Sequence, residues 1–220
     1  MSTNTRACRG GRVWNGVSHG KCAGLKIPWP SAFESSNLSP CKRGYEMKVV
    51  MYMAVTPNGM VARENDDTSF VLPGDWLLFI KKAKSTGNMI VGHKTFNVIV
   101  NEGELKRFRG VRIVVMTHNK TGKRGHNQVS FASGPREALS ILKKEGFSQA
   151  LVAGGGASNA AFMQNGLVDE IFLDVEPAVF TKGKRLFDGP NFEAKLKLLW
   201  ARKISKSEVQ LRYRVLGRSR

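Results

Sequence analysis

The sequence predicts an α/β fold with a mostly parallel central sheet and an antiparallel β-hairpin at its C-terminal end. Three observations predict it. From Met47 onward, short apolar runs typical of buried strands alternate with segments that have apolar residues at helical spacing. Glycines follow several of these runs, as expected where one element turns into the next. The stretch 195–216 alternates apolar and polar residues on both sides of "SKS", which is the pattern of a long hairpin.

Each predicted element has its own local signal. The run "MKVVMYMAV" (47–55) indicates a buried strand that stops at the turn sequence "TPNG". The segment 73–87 has apolar residues three and four apart and ends in glycine, which predicts an amphipathic helix. Further strands are predicted at 88–92, 111–117, 128–133, 149–154 and 169–177, and further helices at 93–100, 134–146 and 157–166. In such a sheet, ligands bind at the carboxyl ends of the strands.

Residues 1–46 differ from the rest. They hold Gly, Ser, Pro and Asn with seven basic and two acidic residues, and they show no periodicity. Such a stretch cannot bury enough surface to offset ordering, so we expect a disordered basic extension at 1–46 and a single domain at 47–220. An organelle-targeting peptide is one alternative. The reading we favour is a misplaced start, with Met47 as the true first residue.

The same extension holds all three cysteines, Cys8, Cys22 and Cys41. A zinc site there would need His19 as the last ligand at irregular spacing, so we expect no metal. The sequence has neither an apolar run of membrane-spanning length nor a stretch that resembles a signal peptide. We therefore expect a soluble, cytoplasmic protein without a membrane partner.

The charge balance leaves a second class of function open. The chain has 35 Lys and Arg against 17 Asp and Glu, a formal net charge of +18. Such a charge attracts polyanions and phosphorylated ligands, so a basic nucleic-acid-binding protein is the main non-enzyme alternative. However, the basic residues are spread along the chain without a recognisable nucleic-acid motif, so we expect no specific nucleic-acid partner. A flavin-binding protein is a further alternative.

The most informative short stretch is "LVAGGGASNAAF" (151–162), in which Gly154, Gly155 and Gly156 separate a predicted strand from a predicted helix. A backbone without Cβ atoms lets a ligand approach its N–H groups, and a helix start favours an anion such as phosphate. A tight turn without a ligand is the alternative. The stretch is not an ordinary dinucleotide fingerprint, because Asn159 stands where the last glycine is expected.

Five segments resemble, in order, motifs of the dihydrofolate-reductase-like superfamily. They are "MAVTPNGMVA" (53–62), "LPGDWLLF" (72–79), "VGHKTF" (91–96), "VAGGGASN" (152–159) and "FMQNGLVDEIFLDVEPAVFTKGKRLF" (162–187). The last is similar to the reductase domain of the bifunctional riboflavin-biosynthesis deaminase-reductase. The resemblance covers nearly all of 47–216. It implies a three-layer fold of that superfamily and, as in many riboflavin-type reductases, a possible homodimer.

The resemblance also implies an activity, the transfer of a hydride from NADPH to a nitrogen heterocycle. The riboflavin-type members reduce 5-amino-6-(5-phosphoribosylamino)uracil, and a dihydrofolate or another pteridine is the alternative substrate. Those members often carry Glu just before the glycines, where this chain has Ala153. The expected partner is in either case a small heterocyclic molecule.

Residue by residue, the resemblance implies a cofactor site. Its expected members are Ala54, Gly92, His93, Lys94, Thr95, Thr117, Lys120, Gly154, Gly155, Gly156, Ser158 and Asn159. His93 stands where the family usually has Arg, which weakens a phosphate contact. In the loop 117–125, Lys120, Lys123 and Arg124 could bind the adenosine 2′-phosphate, and a solvated basic loop is the alternative.

Asp75 is the candidate catalytic residue. It lies at the start of the predicted helix 73–87, where dihydrofolate reductases place an acid. A buried carboxyl there could bind a ring N–H of the substrate and help to deliver a proton. An acid stabilised by the helix dipole is the alternative. Trp76 and Arg63 are expected to contact the substrate together with Asp75.

Overall fold

The computed structural model describes residues 47–118 and 128–217. The strands in these ranges are β1 (Lys48–Val55), β2 (Met60–Ala62), β3 (Asn88–Gly92), β4 (Arg112–Met116), β5 (Val129–Ala132), β6 (Gln149–Val152), β7 (Glu170–Val175), β8 (Lys184–Arg185), β9 (Leu196–Lys203) and β10 (Val209–Val215). Eight of them form one sheet in the order β5-β4-β3-β6-β1-β7-β10-β9. The pairs from β5 to β7 are parallel, whereas β10 runs antiparallel to both β7 and β9.

Helices cover both faces of this sheet. They are α1 (Pro73–Thr86), α2 (His93–Asn101), α3 (Pro135–Lys144) and α4 (Gly156–Gln164), with a short 3-10 helix at Glu104–Phe108. Side chains alternate across a strand, so Val49 and Met51 of β1 pack with α3 and α4, while Val50 and Tyr52 pack with α1 and α2. Two buried cores therefore lie on opposite faces of the sheet, and the predicted three-layer α/β fold is confirmed.

The shortest elements, β2, β8 and the 3-10 helix, were not predicted from the sequence. β2 and β8 form a separate two-stranded antiparallel sheet, and strands of three and two residues carry too short a pattern to be recognised. The 3-10 helix was missed for the same reason. The predicted extension 1–46 and the predicted cofactor ligand Lys120, with Lys123 and Arg124, lie outside the described residues. Within those residues, no helix is long and apolar enough to cross a membrane.

The topology gathers the helix starts at one edge of the sheet. Because β1, β3, β4, β5 and β6 are parallel, their carboxyl ends share that edge. α2 begins directly after β3, α3 shortly after β5, and α4 shortly after β6. The N-termini of these three helices therefore lie together where a parallel sheet binds its ligands.

Candidate active site

A cleft of about 960 Å³ opens along this edge. It is lined by the last residues of β1, β3 and β4, by the residues that directly follow β5 and β6, by the first residues of α2, α3 and α4, and by one side of α1. From β5 to β1 the sheet order has four strand spacings, or about 19 Å at the usual separation. The cleft therefore has room for an elongated ligand laid across the strand ends.

On the side of β3 and β6, the cleft presents two helix starts. α2 follows the N-cap Gly92 and α4 follows the N-cap Gly155, and neither N-cap makes a side-chain capping bond. The first N–H groups of a helix have no partner within the helix, so they are available to a ligand. The two starts adjoin, because the Gly92 N–H donates to the Gly154 carbonyl at 2.7 Å. Together they make a concentrated site for a phosphate-bearing group.

The third helix start is already occupied by an acid. Ser133, Gly134 and Pro135 line the cleft where α3 begins. There the carboxylate of Glu137 accepts hydrogen bonds from the N–H of Ser133 at 2.8 Å and from its hydroxyl at 2.5 Å. A negative group at this terminus opposes a second anion. Phosphates are therefore expected at α2 and α4 rather than at α3.

The glycines have a packing reason besides the one predicted from the sequence. A Cβ atom on Gly92 would lie 2.7 Å from the Ser158 hydroxyl oxygen, and one on Gly156 would lie 2.4 Å from the carbonyl oxygen of Arg185. Both residues thus let the protein pack against itself. Gly154 has a φ of +89°, which disfavours other residues. Gly155 is half-buried with φ −75°, and a Cβ there would lie 3.1 Å from the Thr95 hydroxyl oxygen.

Most of the residues predicted to bind the cofactor are brought together. Those that line the cleft are Ala54, Gly92, His93, Lys94, Thr95, Thr117, Gly154, Gly155, Gly156 and Ser158. Asn159 is not among them. It is fully buried, and its amide donates to the Leu186 carbonyl at 3.0 Å. Asn159 therefore holds the segment after β8 against α4 in this structure.

The predicted substrate residues divide in the same way. Trp76 lines the cleft, and its indole N–H donates to Glu104 at 2.9 Å. Arg63 does not line it. Its guanidinium lies 3.1 Å from Asp67 and over the ring of Phe180. Of the three basic residues that the sequence offers for a substrate phosphate, Arg63, Lys184 and Arg185, only Lys184 lines the cleft.

Asp75 lies on the other side of the cleft, near β1 and β7. It occupies the first turn of α1, lines the cleft and is only 2% exposed. Burial raises the pKa of Asp75 to about 9, and the nearby carboxyls of Asp174, Glu176 and Glu208 add to the increase. The Asp75 carboxyl therefore carries a proton at neutral pH, which an exposed acid at a helix start would not.

Tyr52 links Asp75 to the strand β7. Its hydroxyl donates to Asp174 Oδ2 and lies 3.5 Å from Asp75 Oδ1. The amide of Gln210 donates to the same hydroxyl at 3.2 Å. Burial, together with the charge of Asp174, raises the pKa of Tyr52, so its phenol stays neutral. The wall of the cleft therefore has a continuous hydrogen-bonded network behind it.

The family model of the RibD C-terminal domain matches residues 47–209. The chain belongs to this family. The resemblance to the dihydrofolate-reductase-like superfamily, and to its riboflavin-type reductase domains, is thereby confirmed.

Two individual proteins are similar to this RibD-family chain, one in sequence and one in structure. The uncharacterized protein YwjB of Bacillus subtilis (strain 168) is 26% identical over 177 residues, covering 76% of this chain and 98% of its own length. A pyrimidine reductase-like protein of Corynebacterium diphtheriae has 14% identity and a TM-score of 0.61, covering 79% of this chain and 94% of its own.

The third comparison is with the diaminohydroxyphosphoribosylaminopyrimidine deaminase/5-amino-6-(5-phosphoribosylamino)uracil reductase of Thermotoga maritima. It has 17% identity and a TM-score of 0.60. The match covers 77% of this chain but only 57% of the Thermotoga protein. This likeness concerns the fold.

Sequence reasoning missed the acidic part of this RibD-family site. Asp174 lies in register between Ala54 of β1 and Gln210 of β10, and Glu176, two residues after Asp174, directly follows the end of β7. The run "FLDVEP" held a signal, since acids two apart in a buried strand point to the same face. Nothing local to the sequence shows that this face lies beside Asp75. Within 47–118 and 128–217, no group of His, Cys, Asp or Glu could hold a metal ion.

Proposed function

We propose that this protein is an NADPH-dependent reductase that transfers a hydride to a nitrogen heterocycle of the riboflavin-pathway type, 5-amino-6-(5-phosphoribosylamino)uracil or a close analogue. One observation carries the proposal. A single cleft joins two uncapped helix starts, suited to phosphates, with a buried carboxyl that holds a proton. A reduction of a C=N bond needs both features, because a hydride donor must be bound and a proton must be delivered.

The residues present fit a dinucleotide. The N–H groups at the starts of α2 and α4 would hold its phosphates, with Thr95 and Ser158 as hydroxyl donors and Lys94 as an exposed cation. The nicotinamide, when bound, supplies the hydride. The protein's part is to bind the two reactants, to orient them and to exclude water once they fill the cleft.

Asp75 is proposed to deliver the proton. Its carboxyl can donate it to the nitrogen of the C=N bond whose carbon receives the hydride, since it keeps its proton at neutral pH. Trp76 and Phe79 offer flat apolar walls beside it for a heterocycle. Lys184 is the cation placed to meet a phosphate of the substrate.

A pteridine such as dihydrofolate is the second candidate substrate, because an acid in the first turn of α1 suits a pteridine ring as well. The family membership favours the aminopyrimidine. A homodimer stays a prediction, supported by the exposed Leu196 and Leu198 on the edge strand β9. The cytoplasmic location also stays a prediction.

A thermal-shift screen with NADPH, NADH, FMN and a short DNA duplex tests the proposal. At a concentration of about 100 Kd, NADPH should raise Tm by roughly 5–10 °C, because a ligand that binds only the folded state stabilises it by about 2.7 kcal/mol. NADPH oxidation should then follow addition of the aminopyrimidine and be slower with dihydrofolate. A shift with FMN or DNA but not with NADPH would contradict the proposal.

A further inference from the structure

Four carboxyl groups lie near one another at one wall of the cleft, namely those of Asp75 and of the three acids that act on it, Asp174, Glu176 and Glu208. The Tyr52 hydroxyl contacts Asp75 and Asp174. Each of the four acids is at most 3% exposed. Among the described residues, no salt bridge pairs any of them with Lys or Arg. Several negative charges without a cation are too costly in a buried site, so such a group has to keep protons. We call these four acids with Tyr52 the carboxyl cluster.

The contacts inside the carboxyl cluster converge on Asp75. The Tyr52 hydroxyl lies 3.5 Å from Asp75 Oδ1, and, in addition to burial, the negative charges of Asp174, Glu176 and Glu208 act on Asp75 and raise its pKa. The Tyr52 hydroxyl donates to Asp174 Oδ2, and no described residue hydrogen-bonds the other oxygen, Asp174 Oδ1, which is buried. The Leu72 N–H donates to Glu176 Oε2 at 3.2 Å, and Glu176 Oε1 is also buried without a partner among the described residues. Asp174 and Glu176 thus each have one buried carboxyl oxygen that the described residues leave unsatisfied.

The carboxyl cluster touches the cleft on one side only. Asp75 and Tyr52 line the cleft, whereas Asp174, Glu176 and Glu208 do not. A ligand can therefore reach Asp75 directly and the other three acids only through Asp75 and Tyr52. Asp75 is therefore the acid that meets a ligand in the cleft, and Asp174, Glu176 and Glu208 lie behind it.

We propose that Asp174 and Glu176 are positioning residues that keep a proton on Asp75 and replace it after Asp75 has given it to the substrate. This inference rests on the proposed reductase function, because the reduction consumes the proton. In the first step, the O–H bond of Asp75 breaks and an N–H bond forms on the substrate, whose neighbouring carbon receives the hydride. In the second, a proton shared in the carboxyl cluster moves to the Asp75 oxygen, and one proton from water restores the cluster.

The pKa of Glu176 agrees with this order of the two proton transfers. Burial raises the pKa of Glu176 to about 7, with Glu208 and Asp174 adding to the increase and the Leu72 N–H opposing it. Glu176 therefore gains and loses a proton near neutral pH, whereas Asp75 loses its own only in alkali. The groups that act on Asp75 come from β7 and its exit and from the turn before β10, and all are acidic.

The test follows the Asp75 carboxyl by carbon-13 NMR of the ligand-free protein labelled at the Asp carboxyls, with Asp75→Asn to assign the signal. In Asp174→Asn and Glu176→Gln, loss of a negative neighbour should move the titration of Asp75 to lower pH by about one unit or more. Glu170→Gln is the matched control. Glu170 is a buried acid of β7 paired with Lys48 and Arg212, and its removal should leave the Asp75 titration unchanged.

The second readout is turnover as a function of pH. In Asp174→Asn and Glu176→Gln, the alkaline fall of kcat should move to lower pH together with the NMR titration, while KM for NADPH stays unchanged. An Asp75 titration that is the same in both variants as in the parent protein would overturn the inference. If NADPH neither binds nor is oxidised, the proposed function fails, and the NMR titration still decides whether the carboxyl cluster holds the proton on Asp75.

Discussion

The two sides of the cleft offer a ligand opposite kinds of chemical groups. On the side of β3 and β6, these groups are backbone N–H groups at the starts of α2 and α4, with the exposed Lys94 beside them. On the side of β1 and β7, they are buried side chains that share protons around Asp75 and Tyr52. One edge of the sheet can therefore attract a negatively charged group at one place and hold protons on buried carboxyls a few strands away.

The substitution with the largest expected effect is Gly155→Val, which changes the backbone side of the cleft and leaves the carboxyl side unchanged. A Cβ at this position already lies 3.1 Å from the Thr95 hydroxyl oxygen, so the branched side chain must fill the approach to the start of α4. Hydrogen bonds to charged groups are worth about 1.5–3 kcal/mol each, so loss of two should weaken NADPH binding at least about 100-fold. Isothermal titration calorimetry measures the change.

Gly134→Val is the matched control, because Gly134 is also a helix N-cap at the cleft with extended backbone but has open space around its Cβ position. It should change NADPH affinity far less. Equal losses in both variants would show that phosphates do not depend on α4. The Asp75 titration should be untouched by either substitution.

The pH dependence of the free energy of unfolding tests the carboxyl side, because it reports whether Asp75 is protonated in the folded protein. The pKa of Asp75 is raised in the folded state, so the folded protein binds the proton more tightly than the unfolded chain. The stability this gives is fully present in acid below about pH 4 and is lost as the pH rises towards about 9. Asp75→Asn should remove this loss, which amounts to at most about 1.4 kcal/mol per pH unit.

Urea denaturation at several pH values measures the free energy of unfolding in both proteins. In Glu170→Gln, the change in the pH dependence of stability should have the opposite sign to that in Asp75→Asn. Burial favours the neutral form of Glu170, but hydrogen bonds from Arg212 and Lys48 outweigh it and lower its pKa. Its contribution is therefore present above its ordinary pKa and lost as the pH falls. An unchanged pH slope in Asp75→Asn would show that Asp75 is ionised in the folded protein.

The smallest expected effect concerns the cation on the backbone side. Lys94→Ala should weaken NADPH binding only several-fold, because Lys94 is exposed and water and salt screen its charge. The loss should shrink as salt is added. Lys144→Ala, at the far end of α3, is the control and should change nothing. A loss that is independent of salt would argue against a charge contact.

That the residues of the backbone side lie together could be predicted from the sequence because their signals are local, and their role in cofactor binding stays a prediction. Glycines after a buried run mark a strand-to-helix turn, and the order of such turns led to the superfamily. The sequence predicted the carboxyl side only through Asp75. The neighbours Tyr52, Asp174 and Gln210 come from three strands far apart in the chain, and their meeting depends on the strand order β1-β7-β10. Arg63 was predicted to contact the substrate but pairs with Asp67 outside the cleft. The sequence could not show this, because a surface cation can form an ion pair with any of several nearby acids.

The contact between the glycine turn and the chain after β8 limits how this protein can be redesigned. Gly156 leaves room for the Arg185 carbonyl and accepts a hydrogen bond from the Asp188 N–H at 3.1 Å, and Asn159 holds the next carbonyl, that of Leu186. The turn is therefore not a loop that can be exchanged by itself. A substitution at 156 requires a new path for 185–188, so libraries that vary the proposed cofactor site should vary both segments together.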